Sequence, residues 1–216
     1  FIASDMPAVL ARTRKFILLS DNEIAFVSAD AVAVYNRNRE VLEKQPFTVD
    51  WDVAAAEKNG YPHFMLKEIF EQPKALEATI SPRLKGDDVV LDDILLSDAQ
   101  IADIDKIYVV ACGSAYHAGM VGKYFIERLC RIPVEIDVAS EFRYRYPILT
   151  ARTLTVIISQ SGETADTLAA LREAKRAGSR VLGIVNVVGS SIARESDDVL
   201  YTRAGPEIAV ATTKGY

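Results

Sequence analysis

The sequence has few of the residues that form disulfides or metal centres, with two cysteines and two histidines among 216 residues. Cys112 ends a predicted strand and Cys130 ends the helix predicted after it, so we do not expect a structural disulfide between them. Free cysteines are typical of a reducing compartment, which indicates a cytoplasmic protein. No cluster of potential ligands predicts a metal site.

Long apolar runs and an excess of basic residues are also missing. No run approaches the roughly 20 apolar residues that span a bilayer, and we recognise no signal peptide, so we expect no membrane partner. The net charge of −5 and the lack of a visible basic cluster argue against nucleic acid as a partner. Because the sequence begins with Phe1 rather than Met, we expect it to be a piece of a longer protein.

Half of the residues are hydrophobic, and the length suffices for one core or for a core plus part of another. Residues 1–60 differ in pattern from the rest, because short apolar runs alternate with turn residues and a charged stretch follows at 36–44. The predicted strands are 15–19, 23–28 and 31–35. Lys58, Asn59 and Gly60 mark a turn, where we place a domain boundary.

Residues 61–216 alternate between predicted helices and strands, which indicates an α/β fold with a parallel sheet and helices on both of its faces. We expect the first helix to be interrupted at Pro73 and a loop to run through Gly86. The predicted elements are a helix at 65–71 that resumes to 78, a strand at 107–111, a helix at 116–129, strands at 134–139 and 156–158, a helix from about 164, strands at 181–185 and 199–202, and a helical segment near the end.

The loop between the strand at 156–158 and the next helix is rich in hydroxyl groups. It contains Ser159, Ser161 and Thr164 around Gly162. Hydroxyls and free backbone N–H groups at the positive end of a helix favour an anion. The alternative is helix capping, although one cap needs only one hydroxyl. Neither a Walker lysine nor a GxGxxG motif is present, so the loop suits a sugar phosphate better than a magnesium nucleotide.

A second loop, at 111–119, follows the strand at 107–111 in the same way. Gly113 lets the backbone approach a ligand and Ser114 adds a hydroxyl at a helix start. Because the carboxyl ends of neighbouring parallel strands meet at one crevice, the two loops could share a ligand. Cys112 could be a nucleophile, but no His and acid partners are arranged for it, so we favour a buried small residue. We interpret His117 as a polar residue at a helix start.

Three further segments leave alternatives open. Residues 186–191 form either a third binding loop or an ordinary turn with a helix cap. Glu207, in the segment 204–216, is either near the same crevice or a carboxylate in the first turn of a helix. Arg143 and Arg145 alternate with aromatic residues, a pattern more typical of an interface strand or turn than of a nucleic-acid site.

Five motifs in order, ISQSGETADTL, CGSAYHAG, ASEFRYR, NVVGSSIARESD and AGPEIAVATTK, closely resemble those of the glutamine–fructose-6-phosphate aminotransferases (isomerizing). A lone SxSGxT would indicate only the wider sugar isomerase (SIS) family. FIASD and TRKFILLSDNEIAFV resemble the closing strands of the glutaminase domain of these enzymes, and HFMLKEIFEQP resembles the hinge into their isomerase. The resemblance covers nearly the whole chain.

The resemblance implies that residues 1–60 are the end of an Ntn-type glutaminase domain and that residues 61–216 are the hinge and a first SIS domain, with the second beyond Tyr216. Such enzymes transfer ammonia from glutamine to fructose 6-phosphate and make glucosamine 6-phosphate without a metal or pyridoxal cofactor, as homodimers. Their catalytic cysteine, glutamate, histidine and lysine would lie outside this chain, which should therefore be inactive alone. The alternative is a non-catalytic sugar-phosphate sensor or regulator.

The resemblance also implies which residues bind the sugar phosphate. They are Cys112, Gly113, Ser114, Ser159, Gln160, Ser161, Thr164, Val210 and Thr212. Ala115 stands where the family usually has a serine, which puts one hydroxyl contact in question, and Gly215 replaces the usual alanine.

Overall fold

A computed structural model describes residues 1–3, 9, 12–48, 57–91 and 94–216. The chain divides into two compact units, Phe1–Asn59 and Gly60–Tyr216. Within the described part of the chain, no helix is both long and apolar enough to cross a bilayer.

The first unit consists of short antiparallel strands. They are β1 (Lys15–Phe16), β2 (Ile24–Val27), β3 (Val32–Tyr35), β4 (Val41–Leu42) and β5 (Phe47–Thr48). β2, β3 and β4 form one sheet, and β1 pairs with β5. The prediction of strands was right for β2 and β3 but too long for β1, and it missed β4 and β5. The assignment of this unit to a glutaminase domain stays a prediction.

The second unit begins with two helices, a 3-10 turn and a hairpin that precede its main sheet. They are α1 (Phe64–Ile80), a 3-10 turn at Ser81–Arg83, β6 (Leu84–Lys85), β7 (Asp88–Val89) and α2 (Asp98–Asp103). The predicted break at Pro73 is wrong, because α1 continues through it as one helix of 17 residues. Buried residues on both sides of the proline, Glu68 and Ala75, anchor the two halves of the helix, so tertiary contacts outweigh the missing N–H. The region predicted as a loop through Gly86 contains the β6–β7 hairpin.

The main sheet of the second unit has five parallel strands in the order β12-β11-β10-β8-β9. The strands and the helices that connect them are β8 (Lys106–Ala111), α3 (Gly113–Cys130), β9 (Val134–Val138), α4 (Ala139–Phe142), β10 (Thr153–Ser159), α5 (Ala165–Arg176), β11 (Arg180–Val185), α6 (Ser191–Glu195) and β12 (Asp198–Tyr201). The predicted α/β fold with a parallel sheet flanked by helices is confirmed.

Each face of this sheet has its own hydrophobic cluster because successive strand residues point to opposite sides. On β8, Tyr108 and Val110 face the side that contains Phe142 of α4 and Leu171 of α5. The intervening β8 residues, such as Val109, face the side of α3. The sheet is thus covered on both faces, and its functional groups are confined to the ends of the strands.

The structure decides two predictions for segments outside the main elements. Residues 204–216 form no helix, and the Thr213 N–H, for example, bonds to the Glu207 carboxylate rather than to a backbone carbonyl. Of the strand and the turn considered for the segment around Arg143, the turn fits. It follows the short helix α4, with Phe142 fully buried and Arg143 paired with Asp166.

Candidate functional site

A cavity of about 440 Å³ lies at the carboxyl ends of β8 and β10. Three segments form most of its walls: Cys112 with the first turn of α3, the loop between β10 and α5, and the segment from Glu207 to Tyr216. All nine residues predicted to bind the ligand line it, namely Cys112, Gly113, Ser114, Ser159, Gln160, Ser161, Thr164, Val210 and Thr212. The structure therefore brings together residues that lie up to 100 positions apart in the sequence.

The loop between β10 and α5 is folded by its own hydroxyl groups. Ser159 Oγ accepts a hydrogen bond from the Gly162 N–H at 3.1 Å and lies 3.4 Å from Thr164 Oγ1. Ser161 Oγ accepts one from the Glu163 N–H at 3.2 Å. Because a hydroxyl that accepts a hydrogen bond can still donate its own proton, Ser161 keeps a donor for a ligand, and so does one of the two hydroxyls of the Ser159–Thr164 pair.

Two helices of the sheet begin at the cavity. Cys112 precedes α3 and Thr164 precedes α5, and within the described chain neither N-cap side chain makes a capping hydrogen bond. The N–H groups of the first turns are thus left without a side-chain cap, and both helix dipoles point their positive ends at the cavity. Capping by Thr164 does not explain the hydroxyl-rich loop.

Two acidic residues next to the cavity, Glu163 and Asp166, are engaged elsewhere. Glu163 Oε1 accepts a hydrogen bond from the Ser191 N–H at 2.7 Å, and Asp166 forms an ion pair with Arg143 at 2.7 Å. Among the lining residues that the structure describes, none is Lys, Arg or His. The cavity would therefore attract an anion through N–H groups, hydroxyls and helix dipoles rather than through a fixed cation.

Glu207 is the carboxylate of the third wall. Its Oε1 accepts hydrogen bonds from the Thr212 hydroxyl and, at 3.1 Å, from the Thr213 N–H. The interpretation of Glu207 as a first-turn helix residue is wrong, because this carboxylate organises an irregular loop. Burial and the nearby Glu207 charge raise the pKa of Tyr216, whose ring also lines the cavity.

The two residues considered for other chemistry have ordinary surroundings. Cys112 is half-buried, and its sulfur accepts a long hydrogen bond from Thr167 Oγ1 at 3.7 Å. His117 is exposed and its ring meets that of Tyr116 edge to face.

Six further lining residues were not predicted as ligand contacts: Ala115, Ile158, Thr167, Ala209, Ala211 and Tyr216. Thr167 could have been found, since it lies three positions after Thr164 on the same helix face.

The loop at 186–191 contributes no residue to the cavity lining that the structure describes. Asn186 instead bonds to the Gly205 carbonyl at 2.7 Å and to the Ala204 N–H at 2.9 Å. Ser190 is buried against Gly162. Of the two alternatives for this loop, the ordinary turn fits. The loop does not line the cavity but contacts residues of two of its walls, Gly162 and the stretch that begins at Ala204.

The model of one family, described as the SIS domain, matches residues 100–216, which is more than half of the chain. The chain belongs to the SIS domain family. Of the SIS domain proteins with solved structures, the C-terminal domain of glucosamine-fructose-6-phosphate aminotransferase from Francisella tularensis is 45% identical, with a TM-score of 0.66. The match covers 74% of this chain and 44% of that one.

Curated relatives extend the match to the whole chain. The sequence is 59% identical over 217 residues to a glutamine–fructose-6-phosphate aminotransferase (isomerizing) of Clostridium acetobutylicum, and 50% identical over 218 residues to one of Mycobacterium leprae. The alignments cover 100% of this chain but 36% and 35% of those proteins, so the chain spans about a third of their length. The resemblance inferred from the motifs is confirmed.

Proposed function

We propose that the cavity binds fructose 6-phosphate or its product glucosamine 6-phosphate, and that the chain is the sugar-phosphate-binding part of a glutamine–fructose-6-phosphate aminotransferase. The observation that carries this proposal is the convergence of all nine predicted residues on one cavity. The phosphate would lie among Ser159, Ser161 and Thr164 at the start of α5, where the donors are concentrated. The volume, about 440 Å³, suits a small ligand.

The same proposal covers the wider properties that the resemblance implies. We place the enzyme in the cytoplasm as a homodimer, with no membrane or nucleic-acid partner and no metal or pyridoxal cofactor. The outer face of α3 exposes Val121, Phe125 and Leu129, an apolar surface of the kind that interfaces cover. A sugar-phosphate sensor is not favoured, because the aminotransferase relatives match this chain from end to end.

Ser161→Ala tests the phosphate position. It should weaken binding of glucosamine 6-phosphate by roughly 1–3 kcal/mol, because a charged phosphate oxygen loses a hydroxyl donor. Calorimetric titration of the chain at fixed ionic strength measures the change. Ser191→Ala provides a matched control, since Ser191 is likewise a half-buried serine near the start of a helix, α6, but does not line the cavity. Equal affinity of the Ser161→Ala variant and the original chain would show that Ser161 only shapes the turn and does not bind the phosphate.

The 216-residue chain given glutamine and fructose 6-phosphate should yield no glucosamine 6-phosphate. An amine must form a Schiff base with the sugar, but the described lining supplies no lysine. A colorimetric assay for the amino sugar, with a full-length relative as positive control, measures turnover. Product above a buffer blank that survives repurification would show that this chain carries catalytic groups of its own.

A further inference from the structure

The segment HFMLKEIFEQP lies mostly in α1, and the proposed site makes no direct use of it. Three of its polar residues, Glu68, Glu71 and Gln72, lie three and four positions apart and therefore on one face of the helix. This face contacts the segment 204–216, which supplies the third wall of the cavity. The wall itself contains no helix or strand, so regular backbone hydrogen bonds do not hold it in place.

The contacts of α1 fall on both sides of the ligand-binding residues of this wall. Glu68 Oε1 accepts hydrogen bonds from the N–H groups of Ile208 at 2.7 Å and Ala209 at 3.0 Å. Beyond Thr212, the Gln72 amide donates to the Thr213 carbonyl at 2.8 Å, and Lys214 Nζ bonds to Glu71 Oε2 at 2.7 Å. The short stretch that contains Val210 and Thr212 is thus fixed at both of its ends.

The Glu68 carboxylate that makes this contact is buried. The residue is 2% exposed, and its second carboxylate oxygen, Oε2, has no hydrogen-bond partner among the described residues. A carboxylate buried in this way is a poor source of stability, because its desolvation offsets much of what its hydrogen bonds contribute. Two charge-assisted N–H bonds to consecutive residues do, however, fix the position of a backbone closely. The arrangement favours precise placement of the wall over stability.

We propose that Glu68 is a positioning residue of the sugar-phosphate site, and that α1 acts through it, with Gln72 in support, to hold Val210 and Thr212 against the ligand. This inference rests on the proposed function, because it assumes that the cavity binds a sugar phosphate. Glu68 does not line the cavity and acts only through the backbone of Ile208 and Ala209.

The test is an NMR titration of the ¹⁵N-labelled 216-residue chain with glucosamine 6-phosphate. Glu68→Ala should raise the dissociation constant roughly tenfold or more, because both N–H groups lose their acceptor and the wall shifts. Glu68→Gln keeps an oxygen acceptor and should stay within about threefold of the original chain. Gln72→Ala removes one neutral hydrogen bond, is less prone to unfold the domain, and should weaken binding about threefold.

Two further readouts separate positioning from a loss of stability. Glu77→Ala, an exposed change on the same helix, is the matched control and should leave the affinity unchanged. In the Glu68→Ala variant the amide signals of Ile208 and Ala209 should move while those of the buried strand β10 stay in place.

The outcomes distinguish this inference from the proposed function. If the original chain binds and both the Glu68→Ala and Gln72→Ala variants bind equally well, α1 does not position the site and the inference is wrong. Failure of the Glu68→Gln variant to restore binding when the Glu68→Ala variant is folded would also contradict it. If the original chain shows no shifts at Ser161 or Thr164 up to the highest sugar-phosphate concentration, the proposed function itself falls, and this inference with it.

Discussion

Gly162→Ala should destabilise the SIS domain by roughly 2–4 kcal/mol and abolish sugar-phosphate binding. Gly162 has a φ of 66°, a backbone conformation that costs an L-residue with a side chain. A Cβ at this position would overlap Ser190 Oγ and lie 2.5 Å from Ser190 Cβ, and Ser190 is itself buried. The loop would have to move, and with it the Gly162 N–H that holds Ser159 and the carbonyl that accepts from Ile192.

Thermal unfolding and calorimetric titration measure both effects. Gly178→Ala is the matched control, because Gly178 also has a positive φ, 84°, but an added Cβ would meet nothing within 4 Å. It reports the conformational cost alone. Adding Ser190→Gly to Gly162→Ala should recover the steric part of the loss. A Gly162→Ala variant as stable as the Gly178→Ala variant, with unchanged affinity, would mean that the loop is not closed over Ser190.

The central strands of the main sheet could be predicted from the sequence because β8, β10 and β11 are short, mostly apolar runs followed by glycine or hydroxyl residues. β8 and β10 have neighbours on both sides and covered faces, so their hydrophobic runs were unambiguous. The break at Pro73 was wrongly predicted because propensity carries no information about the partners of Glu68 and Ala75. The helix α2 was missed although its signal was present, a capping box formed by Ser97 and Gln100.

The site was predictable where it depends on sequence-local features. Ser159 ends β10, Ser161 and Gly113 come two residues after the strands β10 and β8, and the carboxyl ends of adjacent parallel strands share a crevice. What could not be predicted depends on contacts between distant segments. The bond from Ile208 N–H to Glu68 joins residues 140 positions apart, and nothing in the local pattern of either one indicates the other. The local pattern around Glu207 left open whether this residue lies at the crevice or in the first turn of a helix, and the structure places it in the cavity wall.

The first unit, Phe1–Asn59, should exchange its backbone amides much faster than the SIS domain. Among the residues described there, Val34 is buried, whereas Ile24 and Phe26 are 66% and 68% exposed. Its sheets have three and two strands, and β1, β4 and β5 are two residues long. Sheets of this size are marginal without a packed face, because few apolar contacts oppose the entropy of the chain.

Hydrogen-exchange mass spectrometry on a dilute, demonstrated monomer measures this difference. The segment 15–35 should exchange at least about a thousandfold faster than 156–158, which corresponds to an opening free energy lower by roughly 4 kcal/mol. Residues 156–158 lie in the middle of β10, between β8 and β11, and Ile157 is fully buried, so they open only with the whole domain. Repeating the measurement at high protein concentration is the control, because exposed strand edges that pair between copies would then slow exchange in the first unit alone. Protection of 15–35 as strong as that of 156–158 in the dilute monomer would show that the first unit is a complete folding unit, and that the boundary near Gly60 does not separate a stable domain from a remnant.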